Sequence, residues 1–110
     1  MIGSVAFMRE LVKRKAFDAE LHQAIRSGVS FDDVEHLFYL LAKYDTLPDG
    51  YDEHPLRDNW QGYLDCHLAG DLVVIYKRTT RRIILARIGT HTEIFRHRKK
   101  RGLWGWLKGD

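Results

Sequence analysis

The chain has one cysteine in 110 residues, Cys66. An internal disulfide is therefore excluded, and so is a CxxC-type metal site. Its two prolines, Pro48 and Pro55, both fall in the segment TLPDGYDEHP. No apolar run approaches the ~20 residues needed to cross a bilayer. The opening stretch MIGSVAFMRELVKRK places its basic residues after its apolar ones, the reverse of a secretory signal. No internal repeat or low-complexity linker divides the sequence. These absences predict one reduced, cytoplasmic domain with a modest hydrophobic core.

Charge is present in quantity and unevenly spread. Residues 1–76 carry 7 Lys+Arg against 13 Asp+Glu, while residues 77–110 carry 11 against 2, so a net charge of +3 conceals −6 followed by +9. This asymmetry suggests a polyanionic partner, nucleic acid above all, meeting the C-terminal third. A basic strand edge followed by a solvated tail is the plainer explanation.

Hydrophobic spacing outlines the elements. ELVKRK reads as a short edge strand. Phe17, Leu21, Ala24 and Ile25 recur at helical spacing, and Gly28 is a natural stop. In SFDD, Ser30 can cap a second helix, with acids near the positive end of its dipole. Val34, Leu37, Phe38, Leu41 and Tyr44 are its predicted apolar face. Past the Pro48–Pro55 turn the period becomes two. Leu64, Cys66 and Leu68 alternate with Tyr63, Asp65 and His67. Ala69-Gly70-Asp71 can turn a hairpin into LVVIY, a run suited to a strand buried on both faces. KRTTRR turns the chain again, and IILARIG is the last strand. The predicted fold is α+β, two N-terminal helices on a small, mainly antiparallel sheet.

Of six histidines, His54, His67 and His91 fall in the second half, each beside a turn or strand end. With Asp71 at a strand start and Arg87 on the last strand, these groups can converge on one sheet face. Two proton-transfer groups and a fixed cation are what cleavage of an RNA phosphodiester requires. A base takes the 2′-hydroxyl proton, an acid protonates the leaving 5′ oxygen, and a guanidinium holds charge growing at phosphorus. Histidine suits both proton roles because it titrates near neutrality. Each residue also has a plainer reading. His54 and His67 can be solvated surface, and Arg87 can pair structurally with Asp71. Zinc is a further alternative, although the scatter over four segments lacks a close HxH or HxxxH pair. His22 and His36 read as helix surface, and Cys66, opposite His67 in the alternation, reads as core.

The stretch LPDGYDEHPLRDNWQGYLDCHLAGDLVVIYKRTTRRIILARIGTHTEIF, Leu47 to Phe95, resembles the YafQ branch of the RelE/ParE toxin superfamily. The shared features are Leu-Pro, a Tyr, His-Pro-Leu, Trp-x-Gly, Asp-x-His, Ile-Tyr and Arg-x-Gly-Thr-His ending in Phe. The resemblance implies a RelE-like fold and a toxin that cuts mRNA in the ribosomal A site without a metal or other cofactor. It also implies silencing by an antitoxin of the RelB/DinJ type encoded alongside. Carried over by motif, it marks His54, His67, Asp71, Arg87, His91 and Phe95. His91 is then the expected general acid, and His54 with Asp71 the base side. His67 would orient or share the proton, Arg87 would hold the phosphate, and Phe95 would stack on a codon base.

Two departures stand out. Leu72 occupies the position where the family commonly has Trp. The chain also continues past Phe95 with RHRKKRGLWGWLKGD, so residues 1–95 are expected to form the domain and 96–110 a basic extension. There Arg96, Arg98, Lys99, Lys100 and Arg101 can grip RNA phosphates, while Trp104 and Trp106 can stack on RNA or pack on a partner. Two other functions fit the same fold. A ParE-like gyrase inhibitor would need no histidine set, and a basic RNA-binding module could lack catalysis.

Overall fold

The structure, a computed structural model, describes residues 7–95. Its elements run β1 (Glu10–Lys13), α1 (Lys15–Arg26), α2 (Phe31–Lys43), β2 (His54–Pro55), β3 (Leu64–Ala69), β4 (Leu72–Arg78) and β5 (Arg82–Thr90). Residues 91–95 are helical. The strands form one five-stranded sheet in the order β1-β5-β4-β3-β2. All neighbours are antiparallel except β1, which runs parallel to β5 with Glu10 opposite Arg82.

Local chemistry accounts for the helix ends. Ser30 accepts a hydrogen bond from the Asp33 amide at 3.2 Å, capping α2 as its sequence suggests. Gly28 has φ +109°, a conformation that other residues rarely adopt, and stops the chain after α1. The predicted α2 face holds at Val34, Leu37 and Leu41. It fails at Tyr44, which follows the helix and stands 45% exposed, while Leu40 is buried in its place. The residue after the last helical turn leaves the 3.6-residue spiral, so its periodic position no longer predicts its direction.

Each face of the sheet is packed differently. Val74, Tyr76, Leu85 and Ile88 meet Phe17 and Leu21 of α1 and Leu37 and Leu41 of α2. Val73, Ile75 and Ala86 face the other way, under Ile94 and partly buried Leu56, Trp60, Tyr63 and Phe95. β4 is thus buried on both faces, as its unbroken apolar run predicts. Cys66 is fully buried on the helix side, and burial pushes its thiol up to about 12. It stays protonated at neutral pH and belongs to the core.

Glu53 ties the loop before β2 to this core. It accepts hydrogen bonds from the Leu47 amide at 2.9 Å, from Arg78 Nη2 at 2.9 Å and from the Tyr76 hydroxyl. The side chains of Arg78 and Glu53 are only 13% and 11% exposed. Glu53→Ala would leave a nearly buried guanidinium and a buried hydroxyl unpaired. We expect it to lower unfolding free energy by roughly 3–5 kcal/mol, read from urea midpoints at constant slope. A loss below about 1 kcal/mol would show that water replaces the carboxylate.

Candidate acid–base site on the open face of the sheet

β2 is short, but its register carries chemistry, because His54 stands directly opposite Asp65 of β3. Asp65 lies opposite Ile75, and Ile75 opposite Arg87. One cross-strand row therefore runs His54–Asp65–Ile75–Arg87. The next row carries His67 opposite Val73 and Val73 opposite Gly89. Side chains two apart along a strand share a face, so Asp65 and His67 project to the same side. His91 follows β5 and closes over them.

His54 is held at both ring nitrogens. Its Nδ1 lies 2.9 Å from the Asp52 carbonyl, which can only accept, so Nδ1 carries a proton. Its Nε2 lies 3.0 Å from Oδ1 of Asp65. The approach is close but poorly aligned for a hydrogen bond, so the contact is chiefly electrostatic.

Asp65 is 1% exposed, and neither of its oxygens has a well-aligned hydrogen bond within the chain. Burial pushes its carboxyl above the usual range, against the opposing pull of His54, His91 and His67. A buried carboxyl left short of partners costs free energy, and such groups concentrate at functional sites. Alternation places Asp65 beside His67 on one face. Its burial and its facing His54 follow from strand pairing, and sequence reasoning did not single it out.

The other two histidines are less constrained. His67 Nε2 is 3.8 Å from Asp52 Oδ2, and His91 Nδ1 is 3.8 Å from Asp71 Oδ1, both beyond hydrogen-bond length. Their side chains are 37% and 45% exposed. The two rings meet edge to face with centroids 5.6 Å apart, and Phe95 lies 5.5 Å beyond His91. Their nitrogens are thus available for proton exchange with a bound molecule. Asp71, expected beside His54, instead stands beside His91, because the hairpin at Gly70 carries it to the start of β4. Leu72 is partly buried against the helix-side core.

Arg87 is on the expected strand but in unexpected company. Its Nε lies 3.0 Å from both carboxylate oxygens of Glu20, and its Nη2 lies 2.7 Å from Oε2. This ion pair holds the guanidinium above its usual pKa, despite partial burial. Glu20 Oε1 also accepts the Ile88 amide at 3.2 Å. Arg87 therefore pairs with Glu20, not Asp71, and Nη1 makes none of these bonds. A register shift between Ile75 and Tyr76 on β4 marks a bulge opposite, at Ala86–Arg87. The bulge keeps both Leu85 and Ile88 on the helix side, and the Arg87 guanidinium reaches Glu20 of α1. Two strand spacings, about 10 Å, separate its backbone from that of Asp65 in the cross-strand row.

Among the described residues, no three ligand-type side chains converge to hold a metal ion. Arg96, Arg98, Lys99, Lys100 and Arg101 lie outside the described residues, as do Trp104 and Trp106.

Histidines and a buried carboxyl thus gather on one face of the sheet in a small α+β domain. Comparison with known proteins says which such domain this is. The family model for the bacterial toxin of type II toxin–antitoxin system, YafQ, matches residues 9–96. The mRNA interferase toxin YafQ of Escherichia coli strain K12 is 43% identical over 88 residues, 79% of this chain and 96% of that protein. The crystal structure of YafQ from E. coli strain BL21(DE3) superposes with TM-score 0.74 at 30% identity, over 79% of this chain and 98% of that one. YafQ in the E. coli DinJ–YafQ toxin–antitoxin complex gives TM-score 0.73 at 29% identity, over 81% and 99%. This chain belongs to the YafQ family of bacterial toxins.

Proposed function

We propose that this chain is a toxin that cleaves mRNA in the ribosomal A site through the 2′-hydroxyl and is silenced by a DinJ-like antitoxin. The observation that carries the reading is the exposed His67–His91 pair beside the buried Asp65, which His54 approaches at 3.0 Å. His91 acts as general acid. Because Asp52 and Asp65 stand close to both nitrogens of His54, the base role passes to His67, and Asp65 supplies negative charge beside it. The base removes the 2′ proton, O2′ bonds to phosphorus, the P–O5′ bond breaks, and O5′ takes the proton of His91. Arg87 offers Nη1 to the phosphate, Asp71 places a negative charge near His91, and Phe95 stacks on a base.

Identity to an mRNA interferase over most of the chain supports this chemistry, and the DinJ–YafQ complex of a structural neighbour supports the antitoxin. No helix among the described residues is long and apolar enough to cross a membrane. Action on translating ribosomes places the protein in the cytoplasm. Residues 1–95 form the toxin domain, and the basic block at 96–101 adds a grip on phosphates.

Induced expression followed by primer extension tests the reading. Cuts should fall inside reading frames, leaving 2′,3′-cyclic or 3′-phosphate and 5′-hydroxyl ends. Purified toxin on intact programmed ribosomes should cut without added metal beyond what the ribosome needs. 5′-Phosphate ends would overturn the mechanism. Intact mRNA with DNA-damage signalling would instead assign a gyrase inhibitor.

A further inference from the structure

Between the β1–α1 junction and Trp60 lies a groove of about 660 Å³ that shares only Arg87 with the proposed chemistry. Lys13, Arg14 and Lys15 at the β1–α1 junction form one wall, Trp60 and Tyr63 the other, and Arg87 closes the end nearest the reaction face. Val12 and Ala86 form an apolar floor, and no carboxylate lines it. Such a run of three cations stands out in a half of the chain that is otherwise acidic.

We propose that this groove is a nucleotide subsite for single-stranded RNA, stacking a base on Trp60 and holding the adjoining phosphate with Lys13, Arg14 and Lys15. The inference rests on the RNA-cleaving reading above and extends it to a second point of attachment along the strand.

Four features favour RNA. Interleaved cations and rings are the chemistry that grips a single strand, rings taking bases and cations tracking the backbone. Trp60 and Tyr63 are half-buried and meet edge to face at 5.3 Å, which fixes the indole as a platform. Lys77 lies 5.2 Å over the Tyr63 ring, so Tyr63 braces the indole and Trp60 is the stacking surface. Arg14 Nη2 reaches the Tyr63 hydroxyl only at 3.5 Å, the limit of a hydrogen bond, so a phosphate can replace that partner readily.

Continuity with the reaction face supplies the direction. Trp60, Tyr63 and Phe95 all pack against the cluster of Val73, Ile75 and Ala86, so they belong to one layer covering it. Phe95 stands at the histidine end and Trp60 at the other. A strand crossing this layer meets a ring at each end.

The test uses the full chain and a 2′-O-methylated single-stranded oligonucleotide, which cannot be cleaved, read by fluorescence anisotropy across a salt series. Trp60→Leu should weaken binding roughly 5- to 150-fold, whereas Trp60→Phe keeps a ring and should retain most of the affinity. Replacing Lys13, Arg14 and Lys15 together by Gln should flatten the log–log salt slope by about 0.7 for each phosphate that is no longer neutralised. Unchanged affinity and slope in variants with parental unfolding midpoints would overturn the subsite. So would unchanged RNA binding with impaired antitoxin binding, which would make the groove a protein interface. Since the probe reports binding alone, a parent that binds it without cutting mRNA would refute the nuclease reading and leave the subsite standing.

Discussion

His91→Ala is expected to slow cleavage of ribosome-bound mRNA by about 10²–10⁴-fold, the usual cost of removing a proton-transfer group. The fold should survive, because the ring is nearly half exposed and its 3.8 Å approach to Asp71 is too long to stabilise much. Single-turnover cleavage beside a thermal unfolding curve separates the two effects. A sharper version replaces the leaving 5′ oxygen of the substrate by sulfur. A thiolate departs without protonation, so the defect of His91→Ala should largely disappear on that substrate. If the defect persists at full size, His91 is not the acid. If the variant cleaves normal mRNA at the parental rate, it leaves the site altogether.

Asp65→Asn carries the second large effect and acts through a buried group. The amide keeps the shape of the carboxyl and can donate to His54 Nε2 while Asp52 still holds Nδ1. Ring orientation is then preserved, and what disappears is the negative charge beside the histidines. A loss of about 10²–10⁴-fold is expected, the upper figure being that of a histidine whose buried aspartate becomes an amide. Retention of full activity would reduce Asp65 to a structural residue.

The same substitution has a stability signature with a definite sign. Burial raises the folded-state pKa of Asp65 above its unfolded value, against the pull of its histidine neighbours. Between those two values the native state binds more protons than the unfolded chain, so stability falls as pH rises. The stabilisation is fully present below the ordinary carboxylate pKa and is lost as pH passes the raised one. Asp65→Asn should lack this fall and gain on the parent as pH rises through that window. Urea midpoints at a series of pH values would show it. Parallel pH profiles for parent and variant would mean that the histidines compensate the buried charge completely.

Much of this was legible in the residues themselves. A period of two along β3 separates Cys66 from Asp65 and His67. The unbroken apolar run of β4 requires cover on both faces. Ser30 and Gly28 bound the helices by local backbone chemistry that needs no distant partner. The His-Pro-Leu, Asp-x-His and Arg-x-Gly-Thr-His motifs named the family. Which residue stands across from which is another matter. The pairings of His54 with Asp65, of Asp71 with His91 and of Arg87 with Glu20 are absent from any local pattern, the last joining residues 67 apart in sequence. The bulge opposite Ile75–Tyr76 breaks the alternation that would otherwise assign Arg87 its side. Periodicity is a property of one segment and records only which face turns inward. Partners are chosen by the register that buries Val73, Ile75, Leu85 and Ile88 together, and that choice exists only when the whole sheet has packed.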